Sequence, residues 1–198
     1  IGLHHPISTA KTQRDHAHRR LVEGLQSKKF EKLANRLMRF ALDPDDLLAG
    51  SAPLPVEVRH VIPILLHQQL AAVRGFDPLF SADAYPDYET LHALRISFKR
   101  LRYVTAYFTD VLGASAEAFI TEIKAVQDHL GRLNDVVVFA DHLRSHVDNH
   151  PEDEPLKTAL ADLETEAATL AKSFNQAWHR FNSRAVQRHL ADALLVLR

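Results

Sequence analysis

Between Leu156 and Phe181 apolar residues recur at Leu156, Leu160, Leu163, Ala167, Leu170, Phe174, Ala177 and Phe181, in unbroken alternating steps of four and three. That rhythm keeps one seam of a helix turned towards a partner for about seven turns. A strand cannot use it, because its side chains change face at every residue. Such a seam belongs to a long helix packing antiparallel in a bundle, and it commits the chain to helical partners of similar length.

The rest of the chain agrees. Residues 1–8 read as irregular, followed by a helix from about Thr9 to Gln26 with Ala17, Leu21 and Leu25 at i,i+4 spacing. Ser27 is placed to cap a second helix that carries Phe30, Leu33, Leu37, Phe40 and Ala41 inward. Asp43 to Pro55 reads as the clearest linker, rich in Asp, Pro, Gly and Ser. Val56 to Val73 is helical by pattern, with Pro63 expected to start a new turn or kink it. A loop from Gly75 to Asp87 leads into a helix over Leu91–Phe108, which Gly113 is expected to end. The next helix, about Ser115 to Val147, turns Phe119, Ile123, Val126, Leu130, Leu133 and Val137 inward, and Gly131 lies within it. Glycine in mid-helix is costly unless close packing or a ligand excludes a side chain. A last helix carries Val186, Leu190, Leu194 and Leu197. No stretch alternates as a strand, so the expected fold class is all-α, a bundle of long helices.

Composition excludes several functions. The 198 residues contain no Cys, which rules out disulfides, thiol nucleophiles and Cys-ligated zinc. The longest apolar run, near Val61 to Leu66, is far too short to span a bilayer and contains Pro63, so no membrane partner is expected. No signal-peptide pattern opens the chain, and a cytoplasmic location is expected. The net charge of −1 hides segregation: nine Lys/Arg against three acids lie between Lys11 and Arg39, and seven acids against one Lys between Asp148 and Glu166. A local positive field of this kind argues for an anion-binding face more than for a nucleic-acid-coating domain.

The sharpest polar feature is a stripe on the Leu91–Phe108 helix. His92, Arg95, Lys99 and Arg102 share one narrow sector beside the apolar face of Leu91, Leu94, Phe98, Leu101, Thr105 and Phe108. From Leu91 to Thr109 there are four Lys/Arg and no acid. Like charges at i,i+3 and i,i+4 repel, so a one-sign stripe suggests an anionic partner. A solvated face whose acids come from neighbouring helices fits helix physics equally well. In the following helix Lys124, Gln127, Gly131 and Asn134 repeat the offsets of that stripe, so the two helices, set side by side, would line a shared groove.

Leu91-His92-x-x-Arg95-x-x-x-Lys99-Arg100-Leu101-Arg102-Tyr103, followed by Lys124-x-x-Gln127-Asp128-x-Leu130-Gly131-x-Leu133-Asn134-Asp135, resembles the conserved histidine α-helical, or CHAD, domain. The resemblance implies two pseudo-symmetric helical repeats with basic surfaces that bind inorganic polyphosphate. Arg14, Ala17, Leu21, Leu25 and Ser27-Lys28-Lys29-Phe30 resemble the end of a first repeat, and residues 88–198 a whole second repeat. On that reading residues 1–198 form one partial domain, with 43–87 as linker and connecting helix. The first repeat's own His-x-x-Arg and Leu-Gly helices are expected upstream, if they exist.

The binding groove is therefore expected to comprise His92, Arg95, Lys99, Arg102 and Lys124, with Arg14, Lys28 and Lys29 as weaker contributors. Arginine brings forked donors to phosphate oxygens and lysine a compact charge. Lys28 and Lys29 start a helix, where cations oppose the dipole, which leans towards a ligand role. Asp128, Asp135 or Glu122 are the acids that would instead pair with the stripe, Asp135 being the favoured orienting acid. No cofactor or metal is expected: His142 and His146 stand at i,i+4, but Leu-Arg-Ser separates them and no third ligand lies nearby. Nor is enzymatic activity expected: the resemblance implies a domain not known for catalysis itself, and nucleophilic triads find no support, with no Gly-x-Ser-x-Gly elbow, no Cys and no glycine-rich phosphate loop. The competing readings are a helical scaffold for an acidic protein or nucleic acid and, ranked below it, a metal-dependent phosphohydrolase.

Overall fold

The computed structural model describes residues 4–42, 57–80 and 86–198. All regular structure among them is helical, and the chain divides into two compact units, Ile1–Val56 and Glu57–Arg198. No described helix is long and apolar enough to cross a membrane.

The first unit is a hairpin of α1 (His4–Leu25) and α2 (Lys28–Leu42). Helix α1 begins earlier than the pattern predicts, taking in residues 4–8. Ser27 caps α2 as expected, its Oγ accepting from the Phe30 amide at 3.2 Å. The inward assignment of Phe30, Leu33, Leu37, Phe40 and Ala41 is not met. All five are exposed, the four large ones by 43–59%. Within this unit each helix offers the other one neighbour, too little to enclose a core. The linker expected at Asp43 to Pro55 lies outside the described residues.

The second unit holds the core. It contains α3 (Val58–Arg74), a 3₁₀ turn (Asp77–Leu79), α4 (Tyr88–Tyr107), the one-turn α5 (Thr109–Leu112), α6 (Ala114–Asn149), α7 (Glu154–Phe181) and α8 (Arg184–Leu195). Helix α6 packs against α4, α7 and α8, and α3 packs on α4. Pro63 neither breaks α3 nor begins a new helix: it lies inside the continuous Val58–Arg74 helix, on which Ile62, Leu66, Leu70 and Val73 are buried.

The predicted apolar faces of α4 and α6 form the centre. Leu91, Leu94, Phe98, Leu101 and Thr105 are buried on α4, and the Thr105 hydroxyl is satisfied by the Leu101 carbonyl at 2.8 Å. On α6 the buried row is Ala116, Phe119, Ile123, Val126, Leu130, Leu133, Val136, Ala140 and Leu143. Val137, expected inward, is only partly buried; the row continues through Val136 instead. Asp87 caps α4, accepting from the Thr90 amide at 2.8 Å, and that bond lowers the carboxyl pKa. Gly113 does not end α4. The helix stops at Tyr107, and Gly113, with φ of +70°, ends α5 and starts α6.

The α7 seam faces its neighbours unevenly. Leu156, Phe174 and Phe181 are buried, while Leu160, Leu163, Ala167, Leu170 and Ala177 are partly buried. Trp178, outside the seam, is buried too, stacked on Phe80 at 4.5 Å and edge-on to Phe98 at 6.3 Å. Polar rungs join α7 to α6: Arg132 to Glu166, Arg144 to Glu164, Arg180 to Glu122, and the His129 ring to the Leu170 carbonyl at 2.8 Å. Glu164 and Glu166 thus serve as ion-pair partners along this seam.

Candidate functional site: a basic groove between two antiparallel helices

Tyr88 and His92, at the start of α4, both bond the Asn134 side chain, far along α6. Arg102, near the end of α4, shares its surroundings with Lys124, much earlier on α6. The two helices therefore run antiparallel, with their buried rows pressed together and their polar stripes side by side. Between the stripes lies a groove of about 750 Å³.

Arg95, Lys99, Arg102 and Tyr103 line it from α4, facing Lys124, Gln127, Asp128, Gly131, Arg132 and Asp135 on α6. Five basic side chains thus stand against two carboxylates. Arg95 and Arg102 are half-buried, whereas Lys99 and Lys124 are exposed. Tyr103 gives two of the cations a shared support: the Arg102 guanidinium lies 4.9 Å and Lys99 Nζ 5.9 Å from its ring centre.

The acids expected as alternative partners do not neutralise the stripe. Among the described residues no carboxylate lies within 4.0 Å of the charged nitrogens of Arg95, Lys99, Arg102 or Lys124. Glu122 is held elsewhere, its two oxygens each accepting from Arg180 at 2.9 Å, which lowers its pKa and raises that of the guanidinium. Asp128 and Asp135 line the groove without such a bond, so Asp135 does not orient a basic residue as expected. Within the groove Nε of Arg102 is buried and has no hydrogen-bond partner.

The other predicted residues separate. His92 is exposed and stands beyond the groove lining, its Nδ1 3.1 Å from Oδ1 of Asn134. It ties the helices together at one end of the stripe. Arg14, Lys28 and Lys29 belong to the first unit, whereas the groove is built from the second alone. Arg14 is paired with Asp15 at 2.7 Å. His142 uses Nδ1 on the Val138 carbonyl at 3.0 Å, and the described residues contain no group of three or more His, Asp or Glu arranged to hold a metal ion.

Two lining residues are not among those expected from the sequence. Arg132 reaches the groove while paired to Glu166, with Nε and Nη2 at 2.8 and 2.6 Å from one oxygen. Tyr103 is the other. Its sequence signal is a Lys at i−4, a spacing that brings Lys99 to the ring; the approach of Arg102, one residue away, does not follow from helix spacing.

Gly131 occupies the groove floor, and a Cβ there would meet nothing within 4 Å. Close protein packing therefore does not demand this glycine.

A family model, CHAD domain, matches residues 2–144. The chain belongs to the CHAD family. The match takes in the first unit, α3, α4 and α6 as far as Arg144, so the whole groove falls within the CHAD region. No similar curated protein was found.

Proposed function

We propose that this CHAD domain binds inorganic polyphosphate, without catalysis, in the groove between α4 and α6. The observation that carries the reading is the set of Arg95, Lys99, Arg102 and Lys124, four cations aimed at one groove with no carboxylate in ion-pair range among the described residues. Cations left unpaired repel one another along a helix, and a polyanion relieves that repulsion while releasing its own counterions. The buried, unpartnered Nε of Arg102 adds to the case, since an unmet donor favours any rearrangement that brings it a phosphate oxygen. Membership of the CHAD family, which is linked to polyphosphate binding, points the same way. A binder of this kind would collect on polyphosphate granules in the cytoplasm.

The test is affinity for polyphosphate of the parent and of Arg95→Ala/Lys99→Ala/Arg102→Ala at matched salt. The reading expects a loss of at least about tenfold, from three phosphate contacts. Equal affinities would reject it. Duplex DNA displacing polyphosphate at equal charge concentration would favour a general polyanion scaffold, and phosphate release in the presence of magnesium or manganese would make the protein a hydrolase.

A further inference from the structure

The groove does not end at its last cations. Past Arg102, Tyr103 and Lys124 it runs into a second cavity of about 440 Å³, which shares those three residues. The remaining walls differ in kind: Ala106, Ile120 and Thr121, with Glu117 as the further charged group. An inorganic polyphosphate chain is anionic throughout. Continued past Lys124 it would exchange cations for apolar wall and a carboxylate, an unfavourable place for the next phosphate.

The ligand that suits both compartments has a phosphate end and an uncharged end that is partly apolar and donates hydrogen bonds. We infer that this site accepts nucleoside polyphosphates, with the phosphates on Arg102, Lys124 and Lys99 and the nucleoside in the second cavity. The inference rests on the polyphosphate reading of the same groove. Tyr103, at the junction and 54% exposed, presents an aromatic ring to a base, and Ile120 and Ala106 supply apolar contact. Glu117 accepts from ribose hydroxyls or an exocyclic amine, donors that bare polyphosphate lacks. The half-apolar cavity thus adds a nucleoside contact that a bare triphosphate cannot make, while the main groove stays open to inorganic polyphosphate.

Titration with adenosine triphosphate and with inorganic tripolyphosphate, at equal ionic strength and without divalent metal, separates the possibilities. Tripolyphosphate carries at least as much charge, so pure electrostatics favours it. The inference expects adenosine triphosphate to bind about tenfold more tightly, in line with the gain from one stacked base. Ala106→Trp and Thr121→Trp, both at exposed positions, would fill the cavity. Each is expected to remove that preference while leaving tripolyphosphate affinity and the helical circular dichroism unchanged. Tripolyphosphate binding as tightly as the nucleotide, or a preference untouched by both variants, overturns the inference and leaves the polyphosphate reading standing. Failure of the parent to bind either ligand removes both.

Discussion

Nδ1 of His92 lies 3.1 Å from Oδ1 of Asn134, and the same oxygen accepts from the Tyr88 hydroxyl at 3.1 Å. One amide thus fastens the start of α4 to the far half of α6 and sets the register in which the two polar stripes meet. Since Oδ1 accepts, the ring donates from Nδ1. Asn134→Ala is expected to destabilise the protein by about 1 kcal/mol, or about 2–4 °C in Tm. A double-mutant cycle with His92→Ala should show coupling; strictly additive losses would mean that the bond is not formed in solution.

Gly131 separates stability from binding. Alanine there meets open space, so Gly131→Ala should raise stability by about 0.5–1 kcal/mol through helix propensity. Gly131→Leu should keep the fold and obstruct the groove floor, weakening polyphosphate binding several-fold. Thermal unfolding and ligand titration on the same samples check both. A Gly131→Ala protein less stable than the parent would contradict the open geometry.

Arg132 is a groove cation held back by Glu166. Glu166→Gln would release it. The expected outcome is polyphosphate binding about two- to threefold tighter, from one more available cation, at a stability cost below about 1 kcal/mol for a largely exposed pair. Unchanged or weaker binding would remove Arg132 from the site.

The forked Glu122–Arg180 bond ties α6 to α7 and holds the Glu122 carboxyl below its ordinary value of 4.5. A carboxylate with a lowered folded-state pKa stabilises fully above its unfolded value and loses that contribution as pH falls through the folded one. Stability from this bond should thus hold at neutral pH and fade below about 4.5. Glu122→Gln should lower Tm at pH 7 and shrink the difference from the parent at pH 3. A gap that stays constant between those values would contradict this account.

Much of this architecture is legible in the amino-acid sequence. The heptad seam, the α4 face from Leu91 to Thr105 and the Lys124–Asn134 stripe all follow from a 3.6-residue period, a local property of the chain. What the period misses depends on partners it cannot name. The α2 pattern over Phe30–Phe40 implies burial, but a hairpin offers too little surface to complete it. Gly113 reads as the end of the α4 pattern, yet α4 stops earlier and α5 intervenes. The ion pairs of Arg132 and Arg180 with acids 34 and 58 residues away depend on how α6 and α7 meet. The groove is legible because its two walls carry the same spacing; the cavity beyond Tyr103, built from Ala106, Ile120 and Thr121, has no polar signature in sequence.

On the polyphosphate reading, four cations of one groove engage a phosphate polyanion together. The decisive measurement is the slope of log affinity against log salt for the parent and for Arg95→Ala/Lys99→Ala/Arg102→Ala. Each phosphate contact contributes about −0.7 to −0.9 to such a slope for nucleic acids, so four contacts predict about −3 for the parent and about −1 for the variant. Identical slopes in the two proteins would contradict the account.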